Sequence, residues 1–278
     1  LLDKKLDRRR LLSNLALVGA GATLAACTPR MVAEPQDLDP AILNFALNLE
    51  YLEAAYYLAA VGQLSRLPGE SEIRLPSGFD GSRKLAFQYA CVEEFALEIA
   101  EDELAHVEFL IAALGPDAAP RPVLDLERSF KAAAAAAFGT LPDGGASLPF
   151  AAEDFDPFAA EAFFLHGAFI FEDVGVTAYK GAARFVQSSA YLAAAAGILA
   201  VEAYHAGEIR AMLYGADGRA DGGRLEDGYY GALPVWNIVE AISDARDSLD
   251  GPDDLDQGIT VNRLNASGLA AQAHGGAN

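Results

Sequence analysis

Two glutamates, Glu50 and Glu172, are each followed seven residues later by a tyrosine, Tyr57 and Tyr179. Further along, each is succeeded by a Glu-x-x-His step: Glu103-Leu-Ala-His106 after the first, Glu202-Ala-Tyr-His205 after the second. The chain has only four histidines, and two of them stand in this pattern. Four carboxylates and two imidazoles make up the ligand set of a two-metal site inside a helix bundle. Positions i and i+3 share a helix face, so Glu103 and His106 can reach one point in a core, and Glu202 and His205 can reach it from another helix. Glu50 and Glu172 add one carboxylate each from two further helices.

Burying carboxylates together is costly unless they are paired or coordinated. Two divalent cations would compensate, with two glutamates bridging and each Glu-x-x-His pair completing one metal. Oxygen and imidazole donors without thiolate suit iron or manganese, and zinc stays open. Open positions on such a centre would admit dioxygen or peroxide. Glu53 lies one turn beyond Glu50 and competes with it for the ligand role; the seven-residue step to tyrosine, shared with Glu172, favours Glu50. Asp173 points about 100° away from Glu172 on a helix and reads as solvated or capping. Glu208, one turn beyond His205, reads as a surface ion-pair partner of Arg210 or a neighbour ahead of an extra ligand or gate, and Glu98, Glu101 and Asp102 read as an exposed face. His166 falls off the face of the site, in core or on the surface, and His274 carries no argument. The Tyr56/Tyr57 and Phe163/Phe164 pairs read first as core packing.

The elements that would position these groups are helices. Asp39-Pro40 opens the first, with Asp39 as N-cap and Pro40 at the first position. Leu43, Leu47, Glu50, Ala54, Tyr57 and Val61 share its stripe. Breakers from Gly62 to Arg83 predict a loop. A second helix spans about Ser82 to Leu114 and stops at Gly115-Pro116. The breaker-rich stretch from 115 to 155, with a short alanine-rich helix from Arg128 to Phe138, is long enough to cross a bundle from end to end. A third helix starts near Asp156-Pro157 and runs to about Tyr179, and a fourth covers about Ser188 to Tyr214. Val235 to Asp247 can form a fifth, short helix. Two helical pairs joined by one long crossover is an all-α, four-helix arrangement with ferritin-like connectivity. The bundle is placed at 40–215 and an irregular extension at 216–278.

Composition narrows the function. The formal charge of −20 leaves no basic stripe for nucleic acid and disfavours docking on anionic lipid. Residues 1–27 read as an export signal: Arg8-Arg9-Arg10-Leu11-Leu12 resembles a twin-arginine signal, and an apolar run too short to span a bilayer ends at Leu24-Ala25-Ala26-Cys27, which resembles a lipobox. Residues 28–39 read as a tether. The protein is therefore expected to be an exported periplasmic or cell-envelope lipoprotein, held to the membrane only through lipid on Cys27. Cys91, flanked by apolar residues, is expected to be a buried thiol, and no disulfide framework exists.

Asn48-Leu49-Glu50-Tyr51-Leu52-Glu53-Ala54, the two Glu-x-x-His segments and Val174-Gly175-Val176-Thr177-Ala178-Tyr179 resemble the ferritin-like superfamily of di-iron and di-manganese carboxylate proteins. In detail they resemble its desiccation-related branch, over about residues 40–215. Residues 243–259 also look like that branch's carboxy-terminal region. The resemblance implies Glu50, Glu103, His106, Glu172, Glu202 and His205 as metal ligands. It implies Tyr57 and Tyr179 as outer groups hydrogen-bonding a ligating carboxylate. The paired histidines point towards rubrerythrin-like or manganese-catalase-like centres rather than storage ferritins, and no Cys-x-x-Cys rubredoxin site is present. The function expected is redox chemistry on peroxide or dioxygen in stress protection, which would make the protein a di-metal oxidoreductase. The alternative is a non-catalytic metal-binding or structural desiccation-stress protein. Assembly into a homo-oligomer is left open.

Overall fold

The computed structural model describes residues 37–216, 235–250 and 258–259. The leader, the tether up to residue 36 and most of the carboxy-terminal extension, with the export signal and lipobox expected there, lie outside the described residues. The described helices are α1 (Asp39–Ala60), α2 (Ala90–Leu114), α3 (Arg128–Thr140), α4 (Glu161–Ala183), α5 (Ser189–Ala216) and α6 (Val235–Asp250). The all-α bundle expected from the sequence is present. α1 packs chiefly on α2, α4 chiefly on α5, and α3 on α6. None of the described helices is long and apolar enough to cross a membrane.

α2 begins at Ala90 rather than near Ser82. The intervening segment is held extended: Lys84 bridges to Val61, and the Leu85 N–H donates to the Ala60 carbonyl at 2.7 Å. α4 likewise begins later than Asp156-Pro157, because Asp156 closes a local turn by accepting the Phe158 N–H at 2.8 Å. α2 ends where expected, at Gly115, whose φ of 56° places it in the left-handed region. A two-residue parallel ladder, β1 (Ile73–Arg74) on β2 (Leu124–Asp125), ties the α1–α2 connection to the crossover. The buried Arg121 reinforces that tie by donating to the Ser71 carbonyl at 2.5 Å.

Asp39 does not cap its own helix. Its buried carboxylate accepts the N–H groups of Gln187 and Ser188 at 2.7 and 2.8 Å, just ahead of α5. Glu161, the first residue of α4, does the same for α2, accepting Gln88 and Tyr89 N–H at 2.8 and 3.1 Å. Each carboxylate meets the unsatisfied donors and positive end of a helix that starts elsewhere in the chain. Eleven residues separate Asp39 from Glu50, and eleven separate Glu161 from Glu172. The two halves of the bundle are thus related by an internal pseudo-twofold that extends beyond the Glu–Tyr spacing.

Tyr56 anchors the core beside the site. It is fully buried, donates to the Phe164 carbonyl at 2.7 Å and packs against Phe130, Phe158, Phe164 and Phe171. The aromatic pairs read as packing do pack. Cys91 corrects its expectation: it is exposed. It sits in the first turn of α2, where the buried stripe is Val92, Ala96 and Ile99, and that phase turns residue 91 outward.

Candidate metal centre

All six predicted residues are buried in the bundle interior. One ligating atom from each of Glu50, Glu103, His106 and Glu202 lies within 4.8 Å of the others, and the same holds for Glu103, Glu172 and His205. Glu103 belongs to both groups, so its two oxygens could serve a cation in either.

The histidines set the local geometry. His106 Nδ1 lies 3.1 Å from Glu50 Oε2, 3.4 Å from Glu103 Oε2 and 3.5 Å from Glu202 Oε1. His205 Nδ1 lies 3.1 Å from Glu103 Oε1 and 3.2 Å from Glu172 Oε2. Neither approach to His205 Nδ1 is aligned as a hydrogen bond, and that nitrogen has no partner. The other ring nitrogen of His205, Nε2, lies 3.2 Å from Asp102 Oδ2. Asp102 therefore serves an imidazole rather than only facing solvent, although its side chain is 42 % exposed. An acid at that place fixes ring orientation and leaves the inner nitrogen free to coordinate.

The tyrosines cross over. Tyr179, on the helix of Glu172, donates to Glu50 Oε1. Tyr57, on the helix of Glu50, stands beside Glu172; burial and then that carboxylate push its phenol well above the ordinary range. Its hydroxyl is not aligned with a partner. Glu50 level with Tyr179, and Tyr57 level with Glu172, is the register of antiparallel helices.

A dense set of donors without acceptors, and acceptors without donors, marks this interior. Both oxygens of Glu172 and of Glu202, one of Glu103, one of Glu53 and His205 Nδ1 are buried with no hydrogen-bond partner. Buried polar groups are nearly always satisfied, so a cluster of orphans at one point fits a donor set built for cations. Electrostatics agree. Burial and then Glu103 push the Glu50 carboxyl up to about 8, against relief from His106. Glu202 is driven well above the carboxylate range by burial and by its neighbours, and Glu172 is raised by burial in spite of His205. Glu103 is the exception: burial opposes its charge, but His106 and His205 outweigh burial and hold it below the ordinary range. Burial opposes protonation of the imidazoles too, but their carboxylate partners lift His106 to about 10 and His205 to about 11. Without cations the cluster would settle towards neutrality, with protons where cations would sit.

One expectation needs correction around this core, and two others are filled in. Asp173 is fully buried, not solvated. It accepts from Arg210 at 3.0 and 2.5 Å and from Arg246 at 2.8 Å. Arg210, expected to pair with Glu208, thereby joins α5 to α4, and Arg246 brings in α6. Sequence reasoning missed this strut because nothing in the spacing marks a contact between residues so far apart. His166 resolves to core: its Nδ1 lies 2.7 Å from the Ala162 carbonyl, and burial lowers it to about 4. It belongs to neither group of candidate ligands.

Comparison with known proteins agrees with this architecture. Residues 38–215 match the ferritin-like domain. The chain is 33 % identical over 183 residues to the desiccation-related protein PCC13-62 of Craterostigma plantagineum, an alignment covering 63 % of this chain and 53 % of the relative. The chain thus spans about half the length of that relative. No solved structure matches significantly. With two Glu-x-x-His helices and two Glu–Tyr helices meeting in one dry core, and the match covering all four, the chain belongs to the ferritin-like domain family.

Proposed function

We propose that this protein holds a dinuclear iron or manganese centre through Glu50, Glu103, His106, Glu172, Glu202 and His205, and uses it for redox chemistry on peroxide or dioxygen in stress protection. The observation that carries the reading is the convergence of unpartnered, buried carboxylate oxygens and an unpartnered imidazole nitrogen at one point. When bound, the metals would supply the electrons and the Lewis acidity. The chain's own residues do the rest. Glu103 stands between the two groups of ligands, Asp102 fixes the ring of His205, and Tyr179 holds Glu50 by one oxygen and leaves the other for His106 or a cation. The surrounding aromatic core excludes bulk water. The name of the desiccation-related relative supports a stress setting.

The enclosure of the six side chains favours a second reading, a stress protein whose metals mainly hold the bundle together. One experiment decides both. Protein matured in cells is analysed for metal and assayed with peroxide, alongside Glu103→Ala and His205→Ala. Two iron or manganese ions per chain, lost in both variants, support the centre, and peroxide turnover selects the redox reading. Metal content unchanged by both substitutions would defeat the proposal. The leader motifs support export with lipid on Cys27, for which Cys27→Ala should release the protein from membranes.

A further inference from the structure

The internal repeat fails at one informative place. One turn beyond Glu50 stands Glu53; one turn beyond Glu172, at the corresponding position, stands Gly175. The antiparallel register brings these two residues level with each other, midway between the Glu50–Tyr179 and Tyr57–Glu172 pairs. This stretch of α1 and α4 lies beside the candidate ligands: Glu103, Glu50 and Glu172 all act on Glu53.

Glu53 is only 3 % exposed, and its Oε2 has no hydrogen-bond partner. Gly175 makes room for the neighbouring Glu202, with Glu53 alongside. A methyl group added at Gly175 would collide with Glu202 Oε2 and would stand 3.4 Å from Glu53 Oε1. Two carboxylates therefore share the space that a side chain on α4 would otherwise fill. No cationic side chain approaches Glu53 among the contacts of the described residues; the charges it feels are those of Glu103, Glu50 and Glu172. A carboxylate kept dry among other carboxylates, with an open oxygen, has the environment of a ligand rather than of a structural acid.

We propose that Glu53 is a fifth carboxylate ligand of the centre, reaching it from beside Gly175 and Glu202. The inference rests on the dinuclear reading and deepens it. It makes the two halves of the site unequal: α1 contributes two carboxylates and α4 one.

The test uses cobalt(II), whose visible absorption strengthens as ligands are lost. The full chain and Glu53→Gln are titrated with cobalt, and circular dichroism checks the fold. Two cobalt ions in both proteins, with binding at least tenfold weaker and absorption stronger in Glu53→Gln, are expected. Two ions with affinity and spectrum unchanged would overturn the assignment of Glu53 and leave the six-ligand centre standing. Failure of the unaltered chain to bind cobalt would bring down the metal reading itself and this inference with it. Should Glu53→Gln not fold, Glu53→Asp, which keeps the charge but draws the carboxylate back by one methylene, is read in the same way.

Discussion

On the dinuclear reading, metal uptake must expel protons, and their number follows from the protonation that burial and neighbouring charges impose on the ligands. In the empty protein His106 is held up to about 10 by Glu103 and Glu50 against the pull of burial, and His205 to about 11 by Glu103 and Glu172. Burial holds Glu50 up to about 8. At pH 6 to 7 all three carry a proton, and each must lose it before its inner atom can ligate. Loading two ions therefore releases at least three protons. The product of the two association constants should climb roughly 1000-fold per pH unit over that interval. The raised carboxyls of Glu53, Glu172 and Glu202 can only add to the count. Calorimetric titration with cobalt(II) or manganese(II) in buffers of different ionisation enthalpy measures the protons directly. His106→Gln should lower the count by one. Uptake that releases less than one proton per pair of ions, with affinity flat from pH 6 to 7, would show that the imidazoles do not hold the metal.

The same groups govern the stability of the empty fold. A group whose folded value is raised stabilises fully below its unfolded value, and that contribution fades as pH climbs through the folded one. For Glu50 the window runs from 4.5 to about 8, and for the histidines from 6.5 to about 10 and 11. Glu103, held low by the imidazoles, acts in the opposite sense and loses its contribution only as pH falls below the ordinary carboxylate range. Chelated protein should therefore melt at a lower temperature at pH 8 than at pH 5.5, while metal-loaded protein shows no such fall. Parallel melting curves for the two forms would contradict the charge assignment.

Other substitutions probe the supports. Asp173→Ala leaves the guanidinium groups of Arg210 and Arg246, only 15 % and 11 % exposed, without this carboxylate; urea denaturation should show a loss of about 3–5 kcal/mol. Asp102→Asn weakens the grip on His205 Nε2, and metal affinity should fall about tenfold, the low end for such outer partners, because Asp102 is partly exposed. Tyr179→Phe strips Glu50 Oε1 of its donor and should destabilise the empty protein by about 1–3 kcal/mol in the same denaturation assay. Cys91, exposed on the first turn of α2, should react with a thiol reagent in the folded, metal-loaded protein without release of metal.

The six candidate ligands were legible because helical periodicity turns spacing into direction: a Glu-x-x-His step lies on one face, and two such steps leave little freedom in a bundle. Helix starts were less legible, since they depend on partners distant in sequence. Asp39 looked like its own cap but serves α5, and α2 waits for Glu161 to receive its first N–H groups. Cys91 was misread because apolar neighbours in sequence are not neighbours around a helix. Asp173 was misread for a related reason. Turning away from the site does not mean turning to water when a further helix, α6, covers that face.

The pseudo-twofold is most informative where it breaks. Asp102 on α2 reaches His205, but the residue in the equivalent place on α5 is Val201, which has no polar group to offer His106. Asp173 ties the Glu172 side of the bundle to two arginines, whereas the equivalent residue on α1 is Tyr51. Glu53 faces Gly175. Each break loads a different half: the His205 side has its ring fixed and its helix braced, while the α1 side carries the additional carboxylate. Two cation positions with such unequal supports should not fill together. The position built on Glu172 and His205, with the better-fixed ring, should bind first. A cobalt titration should then resolve two successive spectral components, and Asp102→Asn should weaken the first more than the second. A single component in the unaltered chain, responding as a whole to Asp102→Asn, would mean that Glu103 couples the two positions tightly enough to erase the asymmetry around them.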